Sequence, residues 1–100
     1  MEQPKLYRRK PTEIRAIQWT GENLSAIQAF VGLVEAEGVS RGTRGFQVAG
    51  IKDVASLWVT ANGDWLPIEI GEWIAKDDLG FYPIKDSQFK KVYEEANGAR

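Results

Sequence analysis

The sequence predicts one α+β domain over residues 1–100, with an antiparallel β-sheet or small half-barrel built from hairpins and two short helices. Alternating apolar residues on both sides of Asn62-Gly63 are typical of a β-hairpin, and a second pair of such runs follows across residues 77–80. Two short amphipathic patterns predict helices around Ile27 and Phe89. The predicted order is β-α-β-β-β-β-β-α, and strands that follow one another through tight turns form antiparallel sheets.

Length and composition fit an ordinary globular domain. A chain of 100 residues buries enough surface for one core without disulfides, and 27% charged and 43% apolar residues are typical of folded proteins. No apolar run approaches the ~20 residues of a membrane helix, and the N-terminus lacks the apolar centre of a signal peptide. We therefore expect a soluble protein that stays in the cytoplasm and does not bind a membrane.

The first strand is predicted within Thr12–Thr20, where β-branched and aromatic residues dominate. Its apolar phase shifts after Ala16, which indicates a strand buried on both sides or a β-bulge. A helix is predicted over Asn23–Val31, because Asn23 is a favourable N-cap and the apolar residues at positions 24, 27, 30 and 31 form one stripe. Gly32 is suited to end this helix.

Residues 33–56 give weaker signals. Four glycines between Gly38 and Gly50 predict a long loop around one short strand at Phe46–Val48. Long connections in compact domains are more often functional or mobile than merely connecting. We therefore expect this segment to contribute few core residues and to be free for recognition.

The first hairpin is predicted to turn at Asn62-Gly63, because a type I′ turn needs positive φ at both central residues and Asn-Gly adopts it readily. A two-residue turn pairs Val59 with Leu66 and Trp58 with Pro67, and the period of two separates the side chains into two faces. Leu57, Val59, Leu66 and Ile68 share one face, and Trp58, Thr60, Trp65 and Pro67 share the other. Because neither face is wholly polar, the second is either covered or presented to a partner.

The second hairpin is predicted to pair Trp73–Ala75 with Phe81–Ile84 across a four-residue turn at positions 77–80. Pro83 lacks an N–H, so its strand is expected at a sheet edge or at a bulge. A last helix is predicted to start at Asp86 or Ser87 and to stop at Asn97-Gly98. Its apolar stripe is Phe89, Val92, Tyr93 and Ala96.

The predicted core includes residues from both strands of the first hairpin, from the first strand of the chain and from both helices. Its members are Ile17, Trp19, Leu24, Ile27, Phe30, Leu57, Val59, Leu66, Ile68, Phe89 and Val92. Trp73 is expected to be a core residue as well. Truncating Phe30 to Ala is expected to cost ~3–5 kcal/mol of stability, as for a buried aromatic side chain.

Three segments together resemble a group of small phage and prophage proteins. They are AIQWTG at 16–21, PIEIGEWI at 67–74, and GFYPIK at 80–85 followed by Phe89 and Tyr93-Glu94. The resemblance covers most of the chain apart from residues 33–56. That group has no assigned activity and no catalytic residues, so the resemblance implies an origin only. It implies a phage gene whose product binds something in a bacterial cytoplasm or in the phage particle.

The composition excludes several classes of chemistry. The chain has no cysteine and no histidine, which removes disulfides, Cys/His zinc sites, cysteine nucleophiles and Ser-His-Asp triads. Asp77-Asp78 with Glu72 is the one candidate for a divalent cation or an acid–base pair, but aspartates in a hairpin loop more often serve the turn itself. We expect no catalytic residue, no metal and no cofactor.

Two pairs of residues are candidates for binding. Arg41 and Arg44 lie in the glycine-rich segment and suit a phosphate, which arginine binds through two parallel hydrogen bonds. Trp58 and Trp65 share one hairpin face, where a partly exposed pair would stack a nucleobase or anchor a protein interface. The alternative for the tryptophans is that they belong to the core.

The N-terminal segment is a third candidate. Residues 1–20 carry five basic and two acidic residues, whereas residues 61–100 carry five basic and eight acidic ones. Arg8, Arg9 and Lys10 would suit a nucleic acid or a phosphate. The alternative is a solvated, flexible arm over residues 1–10 that Leu6 and Tyr7 anchor, since a net charge of −1 attracts a polyanion weakly.

The predicted function is a non-enzymatic, phage-encoded binding protein of the host-takeover or anti-defence type, which acts by occupying the surface of a host macromolecule. A host protein is the expected partner. A nucleotide or nucleic-acid binding protein and a virion accessory protein are the alternatives. The oligomeric state is left open.

Overall fold

The computed structural model describes residues 3–6, 14–50 and 54–93. Within these ranges the chain forms six strands and two helices in the predicted order. The elements are β1 (Arg15–Gln18), α1 (Leu24–Val31), β2 (Phe46–Ala49), β3 (Val54–Val59), β4 (Asp64–Ile68), β5 (Trp73–Asp77), β6 (Gly80–Ile84) and α2 (Asp86–Val92). The predicted α+β class with hairpin-built antiparallel sheets is confirmed.

The strands form two three-stranded antiparallel sheets, with strand orders β1-β5-β6 and β2-β3-β4. In the first sheet, Ile74 of the central strand pairs with Ile17 on one side and with Pro83 on the other. Pro83 therefore lies in an edge strand, as predicted. In the second sheet, Leu57 of the central strand β3 pairs with Phe46 and with Leu66.

Side chains from both sheets and from α1 form one core. Its largest fully buried members are Phe46, Ile27, Leu57 and Ile74. The Phe46 ring contacts the Trp19 ring edge to face, with 5.0 Å between the centroids. Because Trp19 directly follows β1, this contact joins the two sheets.

The predicted core is largely correct. Trp19, Ile27, Leu57, Val59 and Ile68 are buried, and Ile17, Leu24, Phe30 and Leu66 pack against them while partly exposed. The exception is Val92, which is 55% exposed. Phe89 is only half-buried, because α2 lies on Trp73 at the outside of the core cluster.

The glycine-rich segment contributes more to the core than its composition predicts. Val34 is 7% exposed, and Phe46 and Ala55 are fully buried, so the expectation of few core residues is wrong. The Val34 N–H donates to the Thr43 carbonyl at 2.8 Å, which closes a loop ahead of β2. Pairing of β2 with β3 then turns alternate side chains of both strands into the core.

The register of the first hairpin differs from the prediction by two residues. Val59 pairs with Asp64 and not with Leu66, because the connection is a four-residue loop from Thr60 to Gly63. The Gly63 N–H donates to the Val59 carbonyl at 2.9 Å, and Gly63 has a φ of 64°. A shift of two residues keeps every side chain on its face, so the predicted division into faces is correct while the predicted pairs are wrong.

The second hairpin, in contrast, has a shorter loop than predicted. Asp77 pairs with Gly80, which leaves a two-residue connection. The Asp77 carboxylate accepts a hydrogen bond from the Leu79 N–H at 2.8 Å. For Asp77 this is the turn chemistry that the sequence favoured.

Both helices have ends that differ from the prediction. Asn23 precedes α1 but makes no side-chain cap; its side chain bonds to Thr20 and Gln18 instead. α2 ends at Val92, because Tyr93 has an extended backbone with a φ of −124°. The predicted stop at Asn97-Gly98 lies outside the described residues, as does Ala96.

The described part of the N-terminal segment does not pack on the domain. Leu6 is 99% exposed, so its predicted role as an anchor is wrong, and Tyr7 lies outside the described residues.

Neither helix of the described ranges is long and apolar enough to cross a membrane.

Candidate functional site

Trp58 of β3 and Trp65 of β4 stand directly opposite each other on the outer face of the β2-β3-β4 sheet. Their rings meet edge to face, with 5.5 Å between the centroids and an interplanar angle of 70°. Each is half-buried. We call this surface the tryptophan face and define it by the side chains that alternate with the buried ones: Gln47, Ala49, Val54, Ser56, Trp58, Trp65 and Pro67.

The backbone explains why the two indoles are so close. The Val59 carbonyl accepts a hydrogen bond from the Gly63 N–H, so Val59 directs its backbone groups toward β4. The Trp58 N–H points the other way and donates to the Gly45 carbonyl at 2.9 Å. Trp58 and Trp65 are therefore a pair that exchanges no backbone hydrogen bonds, the kind in which side chains approach most closely. Such an aromatic pair contributes roughly 0.5–1.5 kcal/mol.

The tryptophan face is open to solvent and uncharged. Val54 is 51% exposed, and Gln47, Ala49 and Pro67 are exposed as well. Across all three strands of this sheet the one charged residue is Asp64, at the hairpin end. The outer face of a half-solvated antiparallel sheet is normally polar. Depletion of charge around half-buried tryptophans is instead typical of the centre of a protein interface.

Trp73 of β5 is held in a different way. Its ring stacks on Phe89 of α2, with 3.9 Å between the centroids and 5° between the planes. Its indole Nε1–H donates to the Asp86 carboxylate at 2.9 Å. Both its ring and its donor are used within the chain, so Trp73 fastens α2 to the sheet.

Asp86 is the centre of that attachment. Besides the Trp73 indole, its carboxylate binds the Lys90 ammonium at 3.2 Å, and the Gln18 amide lies 3.4 Å away. The hydrogen bonds from Trp73 and Lys90 hold the pKa of Asp86 below its ordinary value of 3.8. The carboxylate is thus kept charged, as the attachment requires.

The other candidate residues are separate from the tryptophan face or outside the described ranges. Arg41 and Arg44 are exposed, and neither forms an ion pair with a described residue. Arg41 lines a groove of about 360 Å³ together with Glu35 and apolar side chains. The Arg44 carbonyl accepts a hydrogen bond from the Gln47 amide, at the border of the face. Arg8, Arg9 and Lys10 lie outside the described residues.

Two further grooves lie among the described residues, apart from the tryptophan face. A groove of about 270 Å³ lies between the tips of the two hairpins, and one of about 390 Å³ lies beside α2. In the described ranges, no group of three or more acidic side chains is placed to hold a metal ion.

In comparisons with known proteins, no family model, curated protein or solved structure matches this chain.

Sequence reasoning found the two tryptophans of the face but missed most of its other members. Gln47 and Ala49 join the face only because β2 pairs with β3, whereas Val54 and Ser56 share it with Trp58 along β3 itself. The alternation of Ala55, Leu57 and Val59 with the residues between them is the signal that would have shown it.

Proposed function

We propose that this protein is a non-enzymatic binding protein that attaches to another protein through the tryptophan face. The observation that carries the proposal is the half-buried Trp58–Trp65 pair at the hairpin end of an uncharged sheet face. Tryptophan is enriched among the few interface residues that dominate binding energy, where its truncation costs about 2 kcal/mol or more. A partner side chain or loop that covers the pair would complete the burial that the chain itself leaves unfinished.

The absence of charge on the face favours a protein over a nucleic acid as the partner. Nucleic-acid binding draws much of its affinity from Lys and Arg at the phosphates. The tryptophan face has neither, so base stacking alone would have to supply the affinity, at roughly 1–3 kcal/mol per base. Burying an uncharged, partly apolar face against an uncharged protein surface costs less free energy of desolvation than burying a charged face would.

The resemblance to small phage proteins supports a partner in the infected cell. The proposed partner is a host protein in the bacterial cytoplasm, whose surface the tryptophan face occupies. Such blocking of a host protein is how a host-takeover or anti-defence protein without catalytic residues would act. A role as an accessory of the virion is the competing possibility, and it predicts that the protein is present in purified particles.

The test begins with capture from a bacterial lysate, followed by affinity measurement with the purified partner. Trp65→Ala is expected to weaken binding at least 30-fold, equivalent to about 2 kcal/mol. Leu79→Ala is the control, because Leu79 is a large apolar residue with 75% exposure that lies at the tip of the other hairpin, away from the tryptophan face. Circular dichroism verifies that each variant is folded. Binding that survives Trp65→Ala and Trp58→Ala unchanged would remove the proposal.

The same experiment separates the nucleotide alternative. Nuclease treatment of the lysate and a salt series are included, because phosphate contacts make affinity fall steeply with salt. If Arg41→Ala with Arg44→Ala abolishes binding while Trp65→Ala does not, the protein is a phosphate or nucleic-acid binder. That double substitution is expected to change stability by less than ~1 kcal/mol, because both side chains are exposed.

A further inference from the structure

We infer that the free edge of β4 is closed to strand addition, so that a partner is recognised through the side chains of the tryptophan face and not through backbone pairing. β4 is an edge strand of the β2-β3-β4 sheet and carries Trp65. The closure of the edge stands on the structure of this chain alone. The statement about the partner rests on the proposed function.

The backbone groups on this edge follow from the pairing. Trp65 forms a pair with Trp58 that exchanges no backbone hydrogen bonds, so its own N–H and C=O point away from β3. Alternation along the strand gives the same outward direction to the backbone groups of Pro67 and, just beyond the strand, of Glu69. An added strand would have to bond to these three residues.

None of the three offers a free donor. The Trp65 N–H is bound by the Asp64 carboxylate at 2.7 Å. Pro67 has no N–H. The Glu69 N–H is bound by Oε1 of Glu72 at 2.8 Å, and Oε2 of the same carboxylate holds the Lys85 ammonium at 3.1 Å.

An incoming strand would therefore find acceptors without donors. Antiparallel pairing needs both from each outward residue, because the bonds are exchanged in reciprocal pairs. At Trp65 and Pro67 only the carbonyl groups remain free to bond to an added strand. The carboxylates of Asp64 and Glu72 lie along the same edge. Unpaired edges invite other chains to add strands, and charged side chains and prolines are known means of preventing this. The need is large here because the edge borders an exposed, uncharged face.

Other edge strands have similar protection. At β1, the Asn23 side chain donates to the Gln18 carbonyl at 2.8 Å and accepts from the Thr20 N–H at 3.0 Å, so one amide occupies both groups. At β2, the Gln28 amide donates to the Phe46 carbonyl at 3.1 Å. Side chains thus occupy backbone groups at the edges of β1, β2 and β4. Of these three edges, the β4 edge is the one that carries Trp65.

The test opens the edge and measures self-association. Pro67→Val supplies an N–H in a residue that favours strands, and Asp64→Ala frees the Trp65 N–H. The double variant is expected to dimerise with an association constant at least tenfold above that of the wild type in sedimentation equilibrium. Hydrogen exchange at the amides of positions 65 and 67 is expected to slow as dimer forms.

Gln47→Val is the matched control. It adds the same apolar side chain to the same face, in the row where Gln47 pairs with Ser56 and Ser56 with Pro67, but it frees no edge donor. It is expected to associate no more than the wild type. Equal association of the control would show that the apolar face, not the edge, is responsible, and would overturn the inference.

Two further outcomes decide the matter. A folded double variant with wild-type association would also overturn it. If the double variant does not fold, Asp64→Ala alone is compared with the wild type: exchange of the Trp65 amide must accelerate, and an unchanged rate refutes the closure. Self-association requires no partner, so failure of the edge experiment and failure of lysate capture are distinguishable.

Discussion

Trp73 in one sheet and the Trp58–Trp65 pair in the other are all half-buried, yet their surroundings differ. Trp73 has α2 stacked on its ring and a carboxylate on its indole nitrogen. Trp58 and Trp65 have each other, and within the described residues neither indole N–H has a hydrogen-bond partner. The β1-β5-β6 sheet thus has a helix over its tryptophan, whereas no helix is stacked on the two tryptophans of the β2-β3-β4 sheet within the described residues.

The difference shows that fractional burial is a poor guide to a tryptophan's role. What separates the two cases is whether the chain uses both the ring and the N–H donor. A tryptophan that is satisfied internally contributes to stability, and one that is not has contact area left for a partner. The comparison predicts that truncating Trp73 lowers stability more than binding. Truncating Trp58 is expected to lower binding more than stability.

The largest expected effect comes from the core that the two sheets share. Phe46→Ala is expected to lower the free energy of unfolding by about 3–5 kcal/mol, because Phe46 is fully buried against Trp19. Phe30→Ala should cost less than this, since Phe30 is half-buried and meets Phe81 at its edge. Urea unfolding of both variants measures the difference. Equal losses would mean that Phe46 does not link the sheets as described.

The second effect tests the comparison directly. Trp73→Ala is expected to cost roughly 2–3 kcal/mol of stability, below the range for a fully buried aromatic because Trp73 is half-buried. Trp58→Ala should cost less, because Trp58 has no helix stacked on its ring and loses the pair with Trp65, worth about 1 kcal/mol, plus part of its buried area. Urea unfolding again provides the measurement, with partner affinity measured in parallel. If Trp58→Ala proves the more destabilising, the tryptophan face is a structural surface.

A smaller effect concerns pH. The pKa of Asp86 is lower in the folded chain than its ordinary value of 3.8, chiefly because the Trp73 indole donates to its carboxylate. The stability that this provides is fully present above pH 3.8 and is lost as the pH falls through the lowered folded pKa. Asp86→Asn is therefore expected to be less stable than the wild type at neutral pH, with a difference that shrinks in strong acid. Thermal unfolding across the acid range measures it, and a difference independent of pH would contradict the assignment.

The smallest effect is expected for the Lys85–Glu72 pair. The Lys85 side chain is 68% exposed, and exposed ion pairs contribute little. Glu72 raises the pKa of Lys85, so any stabilisation is present below the ordinary value of 10.5 and disappears as the pH rises through the folded pKa. Lys85→Met is expected to shift the midpoint of urea unfolding less than Phe46→Ala, Trp73→Ala or Trp58→Ala does. Lys91→Met, on the exposed side of α2, is the control for loss of one positive charge.

The sequence by itself determined the fold class, the order of the elements and the two faces of the first hairpin. These follow from local chemistry, because period-two alternation and turn residues act over a few neighbouring positions. The two tryptophans of the candidate site were predicted in the same way. The lack of cysteine and histidine is likewise a property of composition.

Only the tertiary structure decided the register, the extent of the tryptophan face and the cover over each tryptophan. Asn62-Gly63 permits a two-residue turn, but the bond from Gly63 to Val59 closes a longer loop and makes Trp58 face Trp65 directly. Pairing of β2 with β3 brings residues from the glycine-rich segment into both core and face. Trp73 is covered because α2, which begins thirteen positions later at Asp86, folds back onto it. Such contacts depend on which distant segments meet, and no local pattern encodes that choice.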